Sequence, residues 1–243
     1  MGKIIAVCSG KGGVGKSSVS AGLGVAFSNI GKKVLLVDMD EGLRCLDLML
    51  DVDREAVFDL SDIILGKEIE EVAYKSPLAQ NLYLVIAPAK EGMVDEFSLS
   101  SFAKGAAELF DIVIFDFPAG LNLRLYTALP ETTQYLTVAV PDPISIRDAS
   151  VIREKISSLS LNARLIVNRF KYKQSLRHRV KNIDSIIDNT SIRLIGIVPE
   201  SREISELSLR HRIPKKSGAA KAFERIANRL DGMRVLLPVP KKI

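Results

Sequence analysis

Two lysines set in one run of glycines are the first residues of this chain that could do chemistry. The segment Gly10-Lys11-Gly12-Gly13-Val14-Gly15-Lys16-Ser17 fills the pattern G-x-x-x-x-G-K-[ST], between an apolar run and a helix-forming stretch. Glycines let the backbone turn tightly and aim successive N–H groups into one concavity. The helix that follows adds the positive end of its dipole, which favours phosphate. The spacing assigns Lys16 to the β- and γ-phosphates of a nucleotide and Ser17 to magnesium. Hydrolysis needs carboxylates as well, for the metal and for the attacking water. VLLVDMD places Asp38 and Asp40 at the end of a second apolar run, and a spacing of two sends both to one side if the strand persists. FDIVIFDFPAG places Asp116 at the tip of another buried strand, where a carboxylate can serve magnesium. Lys11 is surplus to this set. It could reach outward to a nucleotide on a second subunit, as an arginine finger does, or be a solvated loop lysine; the residues alone leave both open.

Such residues need strand ends brought to one edge. Strands are expected at residues 4–7, 33–37, 82–87, 111–115, 136–140, 164–167 and 194–198, several of them continuous apolar runs. Helices are expected at 17–29, 94–108, 144–159, 176–187, 203–209 and 218–230, with Gly31 suited to cap the first. The alternation implies an α/β fold: a mostly parallel central β-sheet with helices on both faces. No repeat or long linker divides the chain, so one domain over 1–232 and a short tail over 233–243 are expected. Residues 51–80 give the weakest pattern.

The 243 residues are 47% hydrophobic and 26% charged, which describes a soluble globular protein and excludes fibrous or disordered classes. No uncharged apolar run reaches the ~20 residues that span a bilayer, and the opening residues lack a signal-peptide layout. Ala6 stands where Gly2 lipidation would need Ser or Thr. These features point to the cytoplasm, with the inner face of the membrane as a further location. Cys8 and Cys45 form no close-spaced metal motif, and a reduced compartment is the default. The net charge of +5 hides a split: residues 1–120 hold 11 Lys/Arg against 18 Asp/Glu, and residues 121–243 hold 23 against 11. A basic half can face an acidic partner, nucleic acid or anionic lipid, or simply water.

KGGVGKSS resembles the deviant phosphate loop of the MinD/ParA ATPases, in which the early lysine contacts the partner subunit's nucleotide. The similarity covers most of the chain. GKKVLLVDMDEGLRCLDLML and DIVIFDFPAGL are most like the MinD branch, which selects the bacterial division site; IRDASVIREKI, LIVNRF and IRLIGIVPES follow in the expected order. The resemblance implies a P-loop NTPase fold of the deviant Walker A class that binds ATP, ADP and Mg2+. It makes Lys11 the lysine acting across the dimer and Lys16 the ordinary phosphate lysine, with the loop extending to Ser18. Ser17, Asp38 and Asp116 would serve the metal, and Asp40 would activate water. Asn168 would read adenine with Arg169 beside the ring, a task suited to an amide with both donor and acceptor. It further implies an ATP-dependent homodimer that hydrolysis to ADP and phosphate releases, a population switch in division-septum placement. The alternative within the fold is a ParA-like partition or cargo-positioning ATPase on nonspecific DNA. A scaffold delivering metal clusters lacks its paired cysteines here.

The chain departs from MinD-type proteins after residue 220. Those proteins usually finish with a short amphipathic anchor for anionic membrane. Here Phe223, Ile226, Ala227 and Leu230 fall at helical spacing and are expected to pack on the domain. Beyond Gly232, Pro238 and Pro240 forbid a regular helix, so Val235, Leu236, Leu237, Lys241 and Lys242 suit a weak lipid contact, a docked extended segment or a disordered end. A basic run (Arg169, Lys171, Lys173, Arg177, Arg179, Lys181) and a second cluster (Arg210, Arg212, Lys215, Lys216) suit phosphate backbones, lipid headgroups or water. No dedicated base-reading motif accompanies them. His178 and His211 are too isolated for metal or acid–base work. Arg44, Asp47, Asp148 and Arg153 are candidate contacts for a protein activator or inhibitor. Cys45 stands where the relatives often show asparagine and is expected to affect packing without becoming a reactive thiol.

Overall fold

The computed structural model describes all residues except 53–55, 121–122, 160, 177–181, 212, 215 and 239–243. In chain order its strands are β1 (Lys3–Cys8), β2 (Val34–Asp38), β3 (Tyr74–Lys75), β4 (Leu82–Val85), β5 (Ile112–Asp116), β6 (Gln134–Ala139), β7 (Ala163–Phe170) and β8 (Arg193–Pro199). The longer helices are α1 (Lys16–Asn29), α5 (Glu96–Leu109), α7 (Pro143–Ser158), α9 (Ile183–Thr190) and α12 (Gly218–Leu230). Short ones are α2 (Leu46–Leu50), α3 (Leu60–Ile64), α4 (Ile69–Val72), α6 (Leu123–Ala128), α8 (Tyr172–Leu176), α10 (Arg202–Ser205) and α11 (Leu207–Arg210).

The strands join in the order β3-β4-β2-β5-β1-β6-β7-β8, every pairing parallel except β3 with β4. Strand alternation sorts the apolar residues into two layers. Ile5 and Val7 of β1 pack under α1 and α12, against Val19, Leu23, Phe223 and Ile226. Ile4, Ala6 and Cys8 face the other way, toward Leu99 and Phe102 of α5 and Ile152 of α7. A third cluster joins α7 and α9 to β6, β7 and β8 through Ile146, Ile186, Leu165 and Ile197. β1 is the pivot: β5 lies on one side and β6 on the other, so loops diverge at its C-terminal end. Register then brings Val7 and Asp38 alongside Asp116 at that same edge.

Two expectations are corrected, and one weakly patterned stretch is filled in. The helix expected over 176–187 lies outside the described residues at 177–181, and its later part is α9, which starts only at Ile183 and runs on to Thr190, because Asn182 is extended (φ −72°, ψ 165°) and its side chain caps α9 by accepting Ser185 N–H at 2.8 Å. The helix expected over 203–209 breaks at Glu206 into the single turns α10 and α11. Residues 51–80, weakly patterned in sequence, hold α3, α4 and the antiparallel edge strand β3, each too short to show a period. Reciprocal bonds between Asp59 and Asp62 and each other's backbone start α3. Gly31 (φ 90°) follows α1 as expected, its N–H bonding Ser28 C=O at 3.0 Å.

The apolar face of α12 is buried on the sheet, with Phe223, Ile226, Ala227 and Leu230 all inside. Its fit depends on Gly22 of α1, where a Cβ would lie 2.3 Å from the Phe223 ring. Residues 233–238 are not helical, and their backbone is held: Arg229 donates to the carbonyls of Val235 (2.8 Å), Leu236 (2.7 Å) and Ile195 of β8 (2.7 Å). Lys241 and Lys242 lie outside the described residues, as do Arg177, His178, Arg179, Lys181, Arg212 and Lys215. No helix among the described residues is long and apolar enough to cross a membrane. Phe223→Ala should cost about 3–5 kcal/mol in urea unfolding, since the rigid α1–α12 contact closes poorly over the void; a loss below about 1 kcal/mol would show the contact to be dispensable.

Candidate active site at the strand tips

The loop between β1 and α1 delivers free donors. Gly15 caps α1 with φ 83° and ψ 30°, and no side chain bonds the first amides. By contrast Asp59, Asp95, Asp142, Asn182, Ser201 and Ser217 cap α3, α5, α7, α9, α10 and α12. No acid occupies the first turn of α1, so the positive end of this buried 14-residue helix is uncompensated, which suits phosphate. A Cβ at Gly15 would lie 2.5 Å from Asn168 Nδ2, and its positive φ favours glycine. Val14 is buried, and its carbonyl accepts Asn168 Nδ2–H at 2.8 Å. Gly10 abuts Asp148 of α7, while Gly12 and Gly13 are exposed on the rim.

Two clefts meet here. One, of about 280 Å³, is lined by Gly12, Gly13, Gly15, Lys16, Ser17, Ser18 and Asp40, with Ser9, Cys45, Met49, Ala119 and Arg169. The other, of about 490 Å³, shares Gly15, Ser18 and Arg169 and adds Asn168, Pro199, Glu200, Ser201 and Arg202. Arg169, between them, has φ 53°, a left-handed conformation uncommon outside glycine. The narrow cleft holds the cation and carboxylates; the wider one has room for a larger, flatter group.

Lys16 is turned inward, its side chain 8% exposed and its Nζ 3.0 Å from Asp116 Oδ1. Ser20 donates to the same oxygen at 2.7 Å. The other oxygen, Oδ2, is buried without a partner among the described residues. An unsatisfied buried carboxylate oxygen is costly, so its persistence points to a ligand. Beside the Ser17 hydroxyl and uncapped amides, that oxygen fits magnesium, a hard cation that keeps phosphate oxygens and waters in its shell.

The two early aspartates part company. β2 ends at Asp38, so the strand does not carry Asp40 to the same side as the spacing of two required. Asp38 turns under α2: Oδ1 accepts Asp40 N–H at 3.0 Å, and Oδ2 accepts Cys45 N–H at 3.3 Å and Leu46 N–H at 3.2 Å. Asp40 lines the cleft and is half-buried. Burial raises its carboxyl above the usual range, Lys16 opposes that, and Asp116 adds to it. Burial, then the Asp116 charge, push Asp38 from 3.8 up to about 6 despite its three N–H partners.

Lys11 has the opposite placement to Lys16. It is exposed, lies outside the cleft lining, and makes no ion pair with any described residue. Ser9 fixes its backbone by donating to its carbonyl at 3.1 Å. Sequence reasoning overlooked Ser9, Ser20, Glu200 and Ser201. Of these only Ser20 left a signal, as a polar residue one turn after Lys16 at the start of an apolar stretch of the helix. Arg44, expected as a partner contact, is tied to Asp59 at 2.7 Å. Asp148 bonds Arg147 at 3.3 Å, and Arg153 is exposed on α7. Burial pushes the Cys45 thiol up to about 11, which keeps it protonated and unreactive.

The Asp38 shift has a sign that can be measured. Between 3.8 and about 6 the folded chain holds a proton that the unfolded chain has released. Stability from this group is therefore lost as pH rises from about 4 to about 6, by up to about 3 kcal/mol. Asp38→Asn should flatten that component in urea unfolding of the nucleotide-free protein; parallel pH profiles for the two proteins would contradict the raised titration.

Comparison with known proteins fits this geometry. The family model for the CobQ/CobB/MinD/ParA nucleotide binding domain matches residues 5–214. The septum site-determining protein MinD of Bacillus subtilis is 33% identical over 98% of this chain and 92% of its own. Among solved structures, the MinC:MinD cell division protein complex of Aquifex aeolicus has a chain 29% identical (TM-score 0.87, covering 98% of this chain and 99% of that one). MinD complexed with Mg-ADP from Pyrococcus horikoshii is 28% identical (TM-score 0.82, covering 96% of this chain and 97% of that one). The chain therefore belongs to the MinD/ParA family of nucleotide-binding proteins.

Proposed function

We propose that this chain is an ATPase that dimerises around ATP, separates after hydrolysis to ADP and phosphate, and acts as a MinD-type switch in placing the division septum. One observation carries the reading: of the two loop lysines, one turns inward to Asp116 and the other stands exposed with no ion-pair partner among the described residues. Lys16 would exchange its bond to Asp116 for the β- and γ-phosphates, while the uncapped amides of α1 hold the remaining phosphate oxygens. Magnesium, when bound, would spread the phosphate charge, held through Ser17 and the freed Asp116, with Asp38 supporting the shell from behind. Asp40, in the cleft beside Lys16, would orient the attacking water by accepting its hydrogen. Lys11 of each copy would cross to the phosphates of the other and neutralise charge as hydrolysis proceeds. Asn168 keeps Oδ1 and one amide hydrogen for adenine, with Arg169 alongside.

The complex with MinC is that of the Aquifex MinD; by analogy, the exposed part of α7 with Arg153 is the surface we assign to a protein activator or inhibitor. The basic half of the chain favours a second reading, a ParA-like ATPase that assembles on nonspecific DNA. ATP-dependent pelleting with anionic liposomes, set against ATP-dependent retention on random DNA, separates the two. For the shared mechanism, Lys11→Ala should keep ATP affinity within a few-fold while remaining monomeric by sedimentation at ATP saturation, with hydrolysis falling by about 10³-fold or more. A variant that dimerises and turns over like the parent would remove the role assigned across the interface.

A further inference from the structure

Asp40 is held in the cleft without a hydrogen bond to its carboxylate from any described residue. Its place is therefore set by the backbone on either side. Before it, Met39 N–H bonds Asp116 C=O at 3.0 Å, and Asp40 N–H bonds Asp38 Oδ1 at 3.0 Å. After it stands Glu41, whose carboxylate reaches away from the cleft to the lead of α5. There Oε2 accepts Gly92 N–H at 2.7 Å, and Oε1 accepts Met93 and Val94 N–H, each at 3.1 Å. Three backbone donors on one carboxylate make a charge-assisted clamp with a defined direction. Its far side is firm, because Asp95 caps α5 and Leu99, Phe102, Ala103 and Ala106 bury that helix in the second core layer. Gly42 N–H adds one bond to Pro88 C=O at 3.1 Å in the same loop.

We infer that Glu41 is a positioning residue for hydrolysis: by pinning the neighbour of Asp40 to the lead of α5, it fixes where the Asp40 carboxylate stands over the cleft. The inference rests on the reading of Asp40 given above. It separates two functions in space. The phosphate cradle is built on β1, α1 and β5 and does not involve Glu41, whereas the water-orienting carboxylate depends on a clamp to α5. Loss of the clamp should therefore lower turnover and leave nucleotide binding intact.

The test uses the full chain with Mg-ATP and four proteins: wild type, Glu41→Ala, Glu41→Gln and Asp40→Ala. Glu41→Ala should lower kcat by about tenfold or more while KM for ATP and affinity for ADP stay within about twofold. Glu41→Gln keeps one acceptor oxygen and should lose less, about threefold. Faster hydrogen exchange at the amides of Gly92, Met93 and Val94, with unchanged far-ultraviolet circular dichroism, would report an open clamp in a folded protein. A wild-type kcat in Glu41→Ala would overturn the inference, as would KM and ADP affinity deteriorating in step with kcat, which marks a general structural role. Should Asp40→Ala itself turn over normally, the role given to Asp40 fails instead, and the two failures are told apart.

Discussion

The buried contact between Lys16 and Asp116 is the constraint around which the nucleotide edge is arranged. It joins the first turn of α1 to the tip of β5 across the end of β1, and strand register makes the meeting obligatory. A buried ion pair repays its desolvation only with good geometry and further bonds. Here Ser20 supplies one bond and the second carboxylate oxygen goes without. The pair is thus stable enough to preorganise the lysine and incomplete enough to yield it. Buried, and beside Asp116, Asp38 is driven toward protonation and spends its oxygens on the Asp40 amide and the start of α2, which leaves Asp40 as the carboxylate lining the cleft.

Much of this was legible in the sequence because the signals are local. Apolar runs with turn residues between them gave the parallel strands, and the glycine-lysine pattern gave the loop, its helix and its chemistry. Asp116 was legible as the polar end of a buried run. Asp38 and Asp40 were half legible: their closeness to the edge follows from sequence, whereas the end of β2 between them follows from Asp38 bonding three amides. The clamp from Glu41 to residues 92–94 joins positions about fifty apart and leaves no mark in either segment. The start of α9 after Asn182 and the break at Glu206 were hidden for another reason. Each lies inside a stretch with adequate helical spacing, and a single backbone angle decides it.

Ser9 and Ser20 show how much of the site lies behind the motif. Both are buried, both are small, and each directs a charged residue that the motif does name: one through the Lys11 carbonyl, the other through Asp116. Ser9 also accepts Gly120 N–H at 2.9 Å through its own carbonyl, so the turn after Asp116 and the outer lysine share one small residue.

Arg229 gives the end of the described chain a threshold. Its guanidinium grips two successive tail carbonyls and one on β8, and no carboxylate among the described residues pairs with it. Peeling residues 235 and 236 away leaves a half-buried cation with only the Ile195 carbonyl of those three. Any surface that attracts Leu236, which stands 81% exposed, must draw it against the hold of one guanidinium on two successive carbonyls, so residues 235 and 236 share a single tether.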